Sequence, residues 1–124
     1  MNDVLNTFIE NMKNNVPGFI AVAVTEIESG VAYESVTVDD NFDPNLASAY
    51  NLEVVKAKLN AVKALGLSEN IEDITITLSS QVHIINIAPS GAYFIYLAVD
   101  SAKANLGITK SLLNKFKKEL NEVL

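Results

Sequence analysis

Residues 44–65 constrain the fold most strongly, because they predict a long helix that is apolar on two sides. Asp43 followed by Pro44 predicts its start, since aspartate accepts free backbone N–H groups and proline suits the first helical position. One apolar stripe consists of Leu46, Tyr50, Val54, Ala57, Ala61 and Leu65, and a second consists of Leu52, Val55, Leu59 and Val62. A surface helix in a monomer needs one stripe, so we expect this helix to be covered on two sides, one of them by another chain.

The segments on either side of this helix have the patterns of β-strands. The predicted strands are residues 19–26, 31–38, 71–79, 81–88 and 93–100. The first is almost continuously apolar, which is typical of a strand covered on both faces, and a turn at Gly30 leads into the second. In the third, Ile74 and Ile76 alternate with Thr75 and Thr77, which indicates two different faces.

Two terminal helices complete the predicted fold. The first shows helical apolar spacing over residues 4–12 and ends at Pro17-Gly18, and the last begins near Asn105. The order α-β-β-α-β-β-β-α predicts a single three-layer α+β domain over residues 1–124. A five-stranded antiparallel sheet lies between the middle helix on one face and the terminal helices on the other.

Composition excludes several classes of partner. The net charge is −6 and every permanent cation is a lysine, so the surface would repel phosphate backbones and nucleic acid is not expected as a ligand. Without arginine, the chain cannot supply an arginine finger to a nucleotide-hydrolysing partner. Cysteine is absent, and no apolar run reaches the roughly 20 residues that span a bilayer. We therefore expect a cytoplasmic protein that does not insert into membranes.

Two patterns in the sequence could suggest a metal site, but neither predicts one. His83 is the single histidine, in an alternating strand without a cysteine to share a metal, and is read as structural. Asp39, Asn41 and Asp43 have the spacing that opens an EF-hand loop, but proline stands where that loop needs glycine and tyrosine where it needs glutamate. The sequence predicts a helix cap there and no bound metal.

Catalytic patterns are also missing from the sequence. Glu69, Glu72 and Asp73 crowd together before the third strand, but no apolar pocket is indicated around them, so a solvated loop is expected. The glycines are scattered at turns and do not form a phosphate-binding loop. We expect neither a cofactor nor enzymatic activity.

Three segments in order resemble the Roadblock/LC7 family. The first is the entry into the buried strand, VPGFIAVAV, with Pro17 and Gly18, and the second is the hairpin turn at Gly30. The third, A-N-L-G followed by a hydrophobic residue, is formed by Ala104, Asn105, Leu106, Gly107 and Ile108. The element order matches the family over essentially the whole chain. After the third segment, the arginines usual in the family are replaced by Lys110 and neutral residues.

The resemblance implies a dimer formed through residues 44–65 and 71–79, which would join two five-stranded sheets. The expected interface residues are Leu46, Tyr50, Val54, Ala57, Ala61, Thr75 and Thr77. It also implies a profilin-like fold, and a non-catalytic scaffold or regulator that binds a small Ras-like GTPase or another NTPase. An adaptor of the kind found among motor light chains is a further role that the family includes.

A small-ligand sensor is the alternative from another functional class. Sheets of this kind can hold a pocket between sheet and helices, and the candidate lining residues are Tyr33, Tyr93, Phe94 and Tyr96. Aromatic residues are also common packing residues in strands, so this hypothesis depends on the tertiary structure.

Overall fold

A computed structural model describes residues 2–124 as a layered α+β structure. The helices are α1 (Asn2–Asn15), α2 (Pro44–Ala64), α3 (Leu106–Phe116) and α4 (Lys118–Val123). The strands are β1 (Phe19–Glu26), β2 (Ala32–Thr37), β3 (Asp73–Thr77), β4 (Gln81–Ile87) and β5 (Tyr93–Asp100). The predicted order of elements is confirmed, except that the last helix is divided in two.

The five strands form one antiparallel sheet in the order β2-β1-β5-β4-β3. The almost continuously apolar β5 lies in the middle, where both of its faces are covered, and residues 93–99 are buried. The more polar strands β2 and β3 lie at the two edges.

Each face of the sheet carries its own hydrophobic core. On one face α1, α3 and α4 pack over alternating strand residues such as Val22, Ile84 and Leu97. On the other, α2 packs over Ile85, Phe94 and their neighbours, mainly through its second predicted stripe. The prediction that the middle helix lies alone on one face, opposite the terminal helices, is confirmed.

Small residues let α2 approach the sheet closely over β1 and β2. Ala21 and Ala23 face it and are fully buried, and the hydroxyl of Thr25 is hydrogen-bonded to that of Ser48 in the helix. The Asp43 side chain accepts the N–H groups of Asn45 and Leu46, which confirms the predicted cap. The strands closest to the α2 backbone are β1 and β2. Since β2 is an edge strand and β1 is next to it, α2 lies toward the β2 side of the sheet.

The C-terminal helix bends at Lys117, which separates α3 from α4. Backbone hydrogen bonds continue through the bend, with the Lys117 N–H donating to Leu113 and the Asn121 N–H donating to Lys117. The bend places Leu120 in the core beside α1, where it is fully buried.

Candidate interaction surface

Helix α2 presents its two apolar stripes to different surroundings. Leu52 and Val55 of the second stripe are buried against the sheet, together with Ser48. Leu46 and Tyr50 of the first stripe are 56% and 72% exposed. Desolvating large apolar side chains is favourable at about 25 cal/mol per Å², so this stripe is a candidate for contact with another chain.

One flank of α2 faces the part of the sheet formed by β4 and β3. Asn51 on this flank lies beside the Tyr96 hydroxyl of β5. Ala47, one turn before Asn51, and Val54 and Ala61, after it, lie on the same side of the helix by their spacing. Because these side chains are small and apolar, this flank of the helix is apolar and has no bulky side chain among them.

The sheet beside this flank is apolar and only half-buried. Ile74 and Ile76 of β3 and His83 of β4 lie on the same face of the sheet as α2, with Ile76 paired with His83 in the register. We call the surface formed by Val54 and Ala61 of α2 together with Ile74, Ile76 and His83 the α2–β3 groove. Two strands span about 10 Å, which is close to the diameter of a helix.

His83 is held in the groove by a chain of hydrogen bonds. Its Nε2 is 2.8 Å from Gln81 Oε1, and its Nδ1 is 3.1 Å from the Tyr96 hydroxyl. The amide oxygen can only accept, so Nε2 carries the proton and the Tyr96 hydroxyl donates to Nδ1. Burial lowers the pKa of His83. Burial raises the pKa of Tyr96, and a hydrogen bond with the Asn51 side chain offsets part of that rise. Both groups are therefore held in their neutral forms. The hydrogen-bond partners of the histidine are an amide and a phenol, and the Phe42 ring packs edge-on against it with 6.1 Å between ring centroids.

The free edge of β3 offers backbone groups for pairing. The Leu78 N–H donates to Gln81 and the Ile87 N–H to Glu72, so the even-numbered residues of β3 bond to β4. By alternation, the backbone groups of Asp73, Thr75 and Thr77 point outward.

The threonine side chains on β3 project to the face opposite α2. They share that face with Asp73, whose carboxylate is 3.3 Å from the Lys110 ammonium of α3. Thr75 and Thr77 were the β3 residues predicted for the interface, whereas the β3 side chains on the groove side are Ile74 and Ile76. The alternation in residues 73–77 was the signal that could have identified them.

The other edge of the sheet, at β2, is capped. The Val38 N–H donates to Ile20 of β1, so the backbone groups of Ser35 and Thr37 point outward. The Ser35 N–H is bound by the carboxylate Oε1 of its neighbour Glu34, at 3.2 Å. This bond caps one of the outward N–H groups of β2, whereas no side chain of the described residues binds an N–H of β3.

The first and third segments of the resemblance lie next to each other in the structure, and their residues stabilise backbone conformation. Gly18 has a φ of +72°, and a Cβ there would lie 2.9 Å from the Asp100 carbonyl oxygen and 3.3 Å from the Ala104 N. Asn105 caps α3 by accepting the Ile108 N–H, and Leu106 and Gly107 lie exposed in its first turn. Pro17 is exposed in the short turn between α1 and β1.

The hairpin turn at Gly30 is also structural. Its φ is +75°, and a Cβ would lie 2.9 Å from a methyl group of Leu52 in α2. A side chain at this position would therefore push the turn away from the helix. The three segments of the resemblance thus fix backbone contacts.

The aromatic pocket considered for a sensor is not present. Tyr93 packs among α1, α3 and α4, whereas Phe94 and Tyr96 pack on the α2 face, so these side chains cannot line one cavity. Tyr33 lies at the β2 edge and donates to Glu26. Burial raises the pKa of Tyr93 to about 12, as expected for a hydroxyl enclosed in a packed core. The prediction is wrong because neighbouring strand residues face opposite sides.

Comparison with known structures identifies this arrangement. A Roadblock/LC7 domain from Streptomyces avermitilis superposes with a TM-score of 0.81 at 11% identity, covering 94% of this chain and 94% of the other. The chain has the Roadblock/LC7 fold. Its sequence alone matches no protein-family model, and it matches no curated protein.

Two MglB structures share the Roadblock/LC7 fold with this chain. MglB from Myxococcus xanthus has a TM-score of 0.78 at 16% identity, covering 98% of this chain and 85% of the other. An MglB structure described as having a tetrameric arrangement has a TM-score of 0.82 at 12% identity, covering 98% of this chain and 88% of the other.

Among the helices of residues 2–124, none combines the length and apolar character needed to cross a membrane.

Proposed function

We propose that the protein is a non-catalytic homodimeric scaffold that binds a small Ras-like GTPase in the cytoplasm. The observation that carries the first part is the α2–β3 groove beside the open edge of β3. The groove is apolar and half-buried, it is bounded by α2 on one side and by the open edge of β3 on the other, and in a dimer joined at β3 the grooves of the two copies would become continuous. Such a surface is self-complementary, as a two-fold interface requires.

The open edge determines how the two copies would pair. Antiparallel pairing of β3 with its copy uses all three outward residues when Thr75 lies on the two-fold axis and Asp73 lies opposite Thr77 of the partner subunit. This register places Ile74 beside Ile76 of the partner subunit, on the groove side. The resulting ten-stranded sheet has the two β2 strands at its ends, where the bound Ser35 N–H disfavours further edge pairing.

The two α2 helices would then lie side by side over the joined sheets. Val54 and Ala61 face the partner helix, and Ile74 and Ile76 form the floor beneath it. Leu46, Tyr50 and Ala57 border the outer surface of the helix pair, and Thr75 and Thr77 contribute backbone hydrogen bonds. This interface thus adds Ile74 and Ile76 to the one expected from the sequence, and it moves Leu46, Tyr50 and Ala57 from the contact between copies to the outer surface.

The outer surface of the paired helices is where we place the GTPase. Leu46 and Tyr50 are the large exposed apolar residues of this surface, and exposed aromatic side chains are frequent centres of protein interfaces. The support for a GTPase partner is the resemblance to the Roadblock/LC7 family together with the fold. Because the chain has no arginine, it would act on such a partner by positioning the partner's own residues.

Sedimentation and binding measurements test the two parts separately. Sedimentation equilibrium from 1 to 200 µM is expected to show a dimer, and a monomer throughout that range would overturn the pairing. For the second part, the organism's own small GTPases, loaded with GDP or a GTP analogue, are passed over the immobilised protein. We expect at least one GTPase to bind, and we expect binding to be lost in Tyr50→Lys but retained in Lys56→Met. Failure of every GTPase to bind would overturn the proposal of a GTPase partner.

A further inference from the structure

The α2–β3 groove contains the one histidine of the chain, His83. The rings of Phe42 and Tyr96 both meet the imidazole edge-on, with 6.1 and 5.3 Å between ring centroids. The side chain is half-buried in a single chain, so water still reaches part of the ring. Histidine is the side chain whose charge ordinarily changes between pH 5 and 8, so its position gives the groove a group that responds to pH.

The hydrogen bonds of the imidazole fit its neutral form. The Nε2–H group donates to the Gln81 amide oxygen at 2.8 Å, and Nδ1 accepts from the Tyr96 hydroxyl at 3.1 Å. A protonated ring would carry a proton on both nitrogens, so its Nδ1–H group would point at a hydroxyl that donates to it in the neutral state. The Tyr96 hydroxyl would have to turn away and find a new acceptor. Protonation of His83 therefore disrupts this network.

The described residues around the ring supply no charge that would stabilise its protonated form. The ionisable groups of the surrounding elements are the hydroxyl of Tyr96 and the carboxylate of Asp100 in β5, Lys58 in α2, and Asp39, Asp40 and Asp43 in the loop before α2, while β3 contributes the uncharged Ile76. None of these carboxylates lies within 4.0 Å of the imidazole. Asp39, Asp43 and Asp100 instead accept backbone N–H groups of their own turns. Burial therefore lowers the pKa of His83 without an opposing ion pair.

A second copy over the groove would remove the remaining water from the ring. In the proposed dimer the two α2 helices lie side by side over the joined sheets, and the face that they cover includes His83. The neutral ring loses little there, whereas the protonated ring would lose hydration that no carboxylate replaces. Binding of a proton and binding of a second copy therefore oppose each other, as linkage between two equilibria requires.

We propose that protonation of His83 dissociates the dimer, so that pairing of the two copies is controlled by pH. The inference rests on the proposed pairing through the α2–β3 groove. Each dimer contains two of these rings, so the effect of protonation on the dissociation constant enters twice. Because the pKa of the ring would be lower in the dimer than in the separate protomer, the dimer is complete above the pKa of the protomer and weakens as the pH falls below it.

Sedimentation equilibrium at pH 7.5 and pH 5.0 tests the proposal on the natural chain and on His83→Gln. For the natural chain, the dissociation constant of the dimer is expected to be at least tenfold larger at pH 5.0. For His83→Gln, whatever its affinity at pH 7.5, the constant is expected not to increase, because protonation of carboxylates reduces the net charge of −6 by which the copies repel each other. The same pH dependence in both chains, or none in either, would overturn the proposal.

Two spectroscopic measurements separate this switch from acid unfolding and from a failure of the pairing. Circular dichroism is expected to show the same helix content at both pH values, and loss of helix at pH 5.0 would contradict the proposal. The imidazole proton resonance is expected to titrate at a lower pH in the natural dimer than in Thr75→Pro, a variant that removes an outward N–H of β3 and should be monomeric. Equal midpoints in a dimeric natural chain and a monomeric variant would overturn this inference alone. A natural chain that is monomeric at pH 7.5 would overturn the proposed pairing as well.

Discussion

Ile76 of the edge strand β3 lies directly opposite His83 of β4, and both side chains project to the face that carries α2. Residues paired in this way on one face of an antiparallel sheet contact each other and stabilise the strand pair. Both remain half-buried in a single chain, so the pair forms the part of the α2–β3 groove at which a second copy can be tested most directly.

Replacing Ile76 by lysine is expected to dissociate the dimer. The substitution would bury an unpaired charge against the partner's helix, which costs about 3 kcal/mol or more and raises the dissociation constant at least a hundredfold. Sedimentation equilibrium measures the effect. Thr77→Lys is the matched control, because this exposed side chain is on the same strand but projects to the opposite face. Equal dissociation by both variants would show that the groove is not the interface.

A single cysteine at Thr75 is expected to cross-link two copies upon mild oxidation. The natural chain has no cysteine, so Thr75→Cys provides one thiol per protomer. A hydrogen-bonded antiparallel pair separates its Cα atoms by about 5.5 Å, which a disulfide can bridge. Non-reducing electrophoresis at low protein concentration should show a covalent dimer for Thr75→Cys and much less for Ser35→Cys on the capped edge. Equal yields would contradict pairing through β3.

Removing the Glu34 carboxylate is expected to open the β2 edge. In Glu34→Ala the Ser35 N–H loses its intramolecular acceptor, so β2 becomes available for pairing with other chains. Light scattering should detect assemblies larger than the dimer at high concentration, whereas the melting temperature should fall by only a few degrees. Glu28→Ala, which removes an exposed carboxylate from the nearby turn, controls for the change in net charge. Larger assemblies in both variants would indicate a charge effect instead of an edge effect.

Acidification is expected to destabilise the protein through His83. Burial lowers the pKa of the folded state below the ordinary value of 6.5, so the unfolded chain binds more protons between the two pKa values. The stability from the neutral histidine is therefore complete above about pH 6.5 and is lost as the pH falls through the folded pKa.

The histidine contribution can be isolated because the chain has only one such residue. Melting curves recorded between pH 7.5 and 5 should fall more steeply for the natural protein than for His83→Gln, in which the carboxylates titrate as before. The imidazole proton resonance should titrate with a midpoint below 6.5. A midpoint above that value would contradict the expected direction.

Two glycine substitutions are expected to differ in cost. Gly18 and Gly91 have nearly the same positive φ, +72° and +74°, so alanine at either position pays about 1–2 kcal/mol of backbone strain. At Gly18 the added Cβ would also lie 2.9 Å from the Asp100 carbonyl oxygen, whereas at Gly91 it meets no atom within 4 Å. Denaturant unfolding should therefore show a larger loss for Gly18→Ala. Equal losses would mean that the contact between the two segments is easily relaxed.

The strand bounds show how far the sequence predicts local structure. The predicted ranges of β1 and β5 agree with Phe19–Glu26 and Tyr93–Asp100, but β2 and β3 are shorter than residues 31–38 and 71–79. The central strands have partners on both sides that hold their full length, whereas edge strands have one partner and end earlier. Apolar alternation in the sequence does not distinguish these situations.

The candidate sites depend on contacts that local patterns do not encode. The excess apolar surface of α2 was evident from helical spacing, but the partner of each stripe was not. Ile76 and His83 form one surface only because β3 pairs with β4, and the Tyr96 hydroxyl reaches His83 only because β5 pairs with β4. Neither pairing follows from a residue's sequence neighbours.

The sequence by itself determined the order of the elements, the cap at Asp43 and the positive-φ turn at Gly30, because these depend on hydrogen bonds and steric limits within a few residues. Only the tertiary structure decided that β3 is an open edge and that the Glu34 carboxylate binds an outward N–H at the other edge. These features arise where segments distant in the chain meet, and their energies depend on packing that no local pattern specifies.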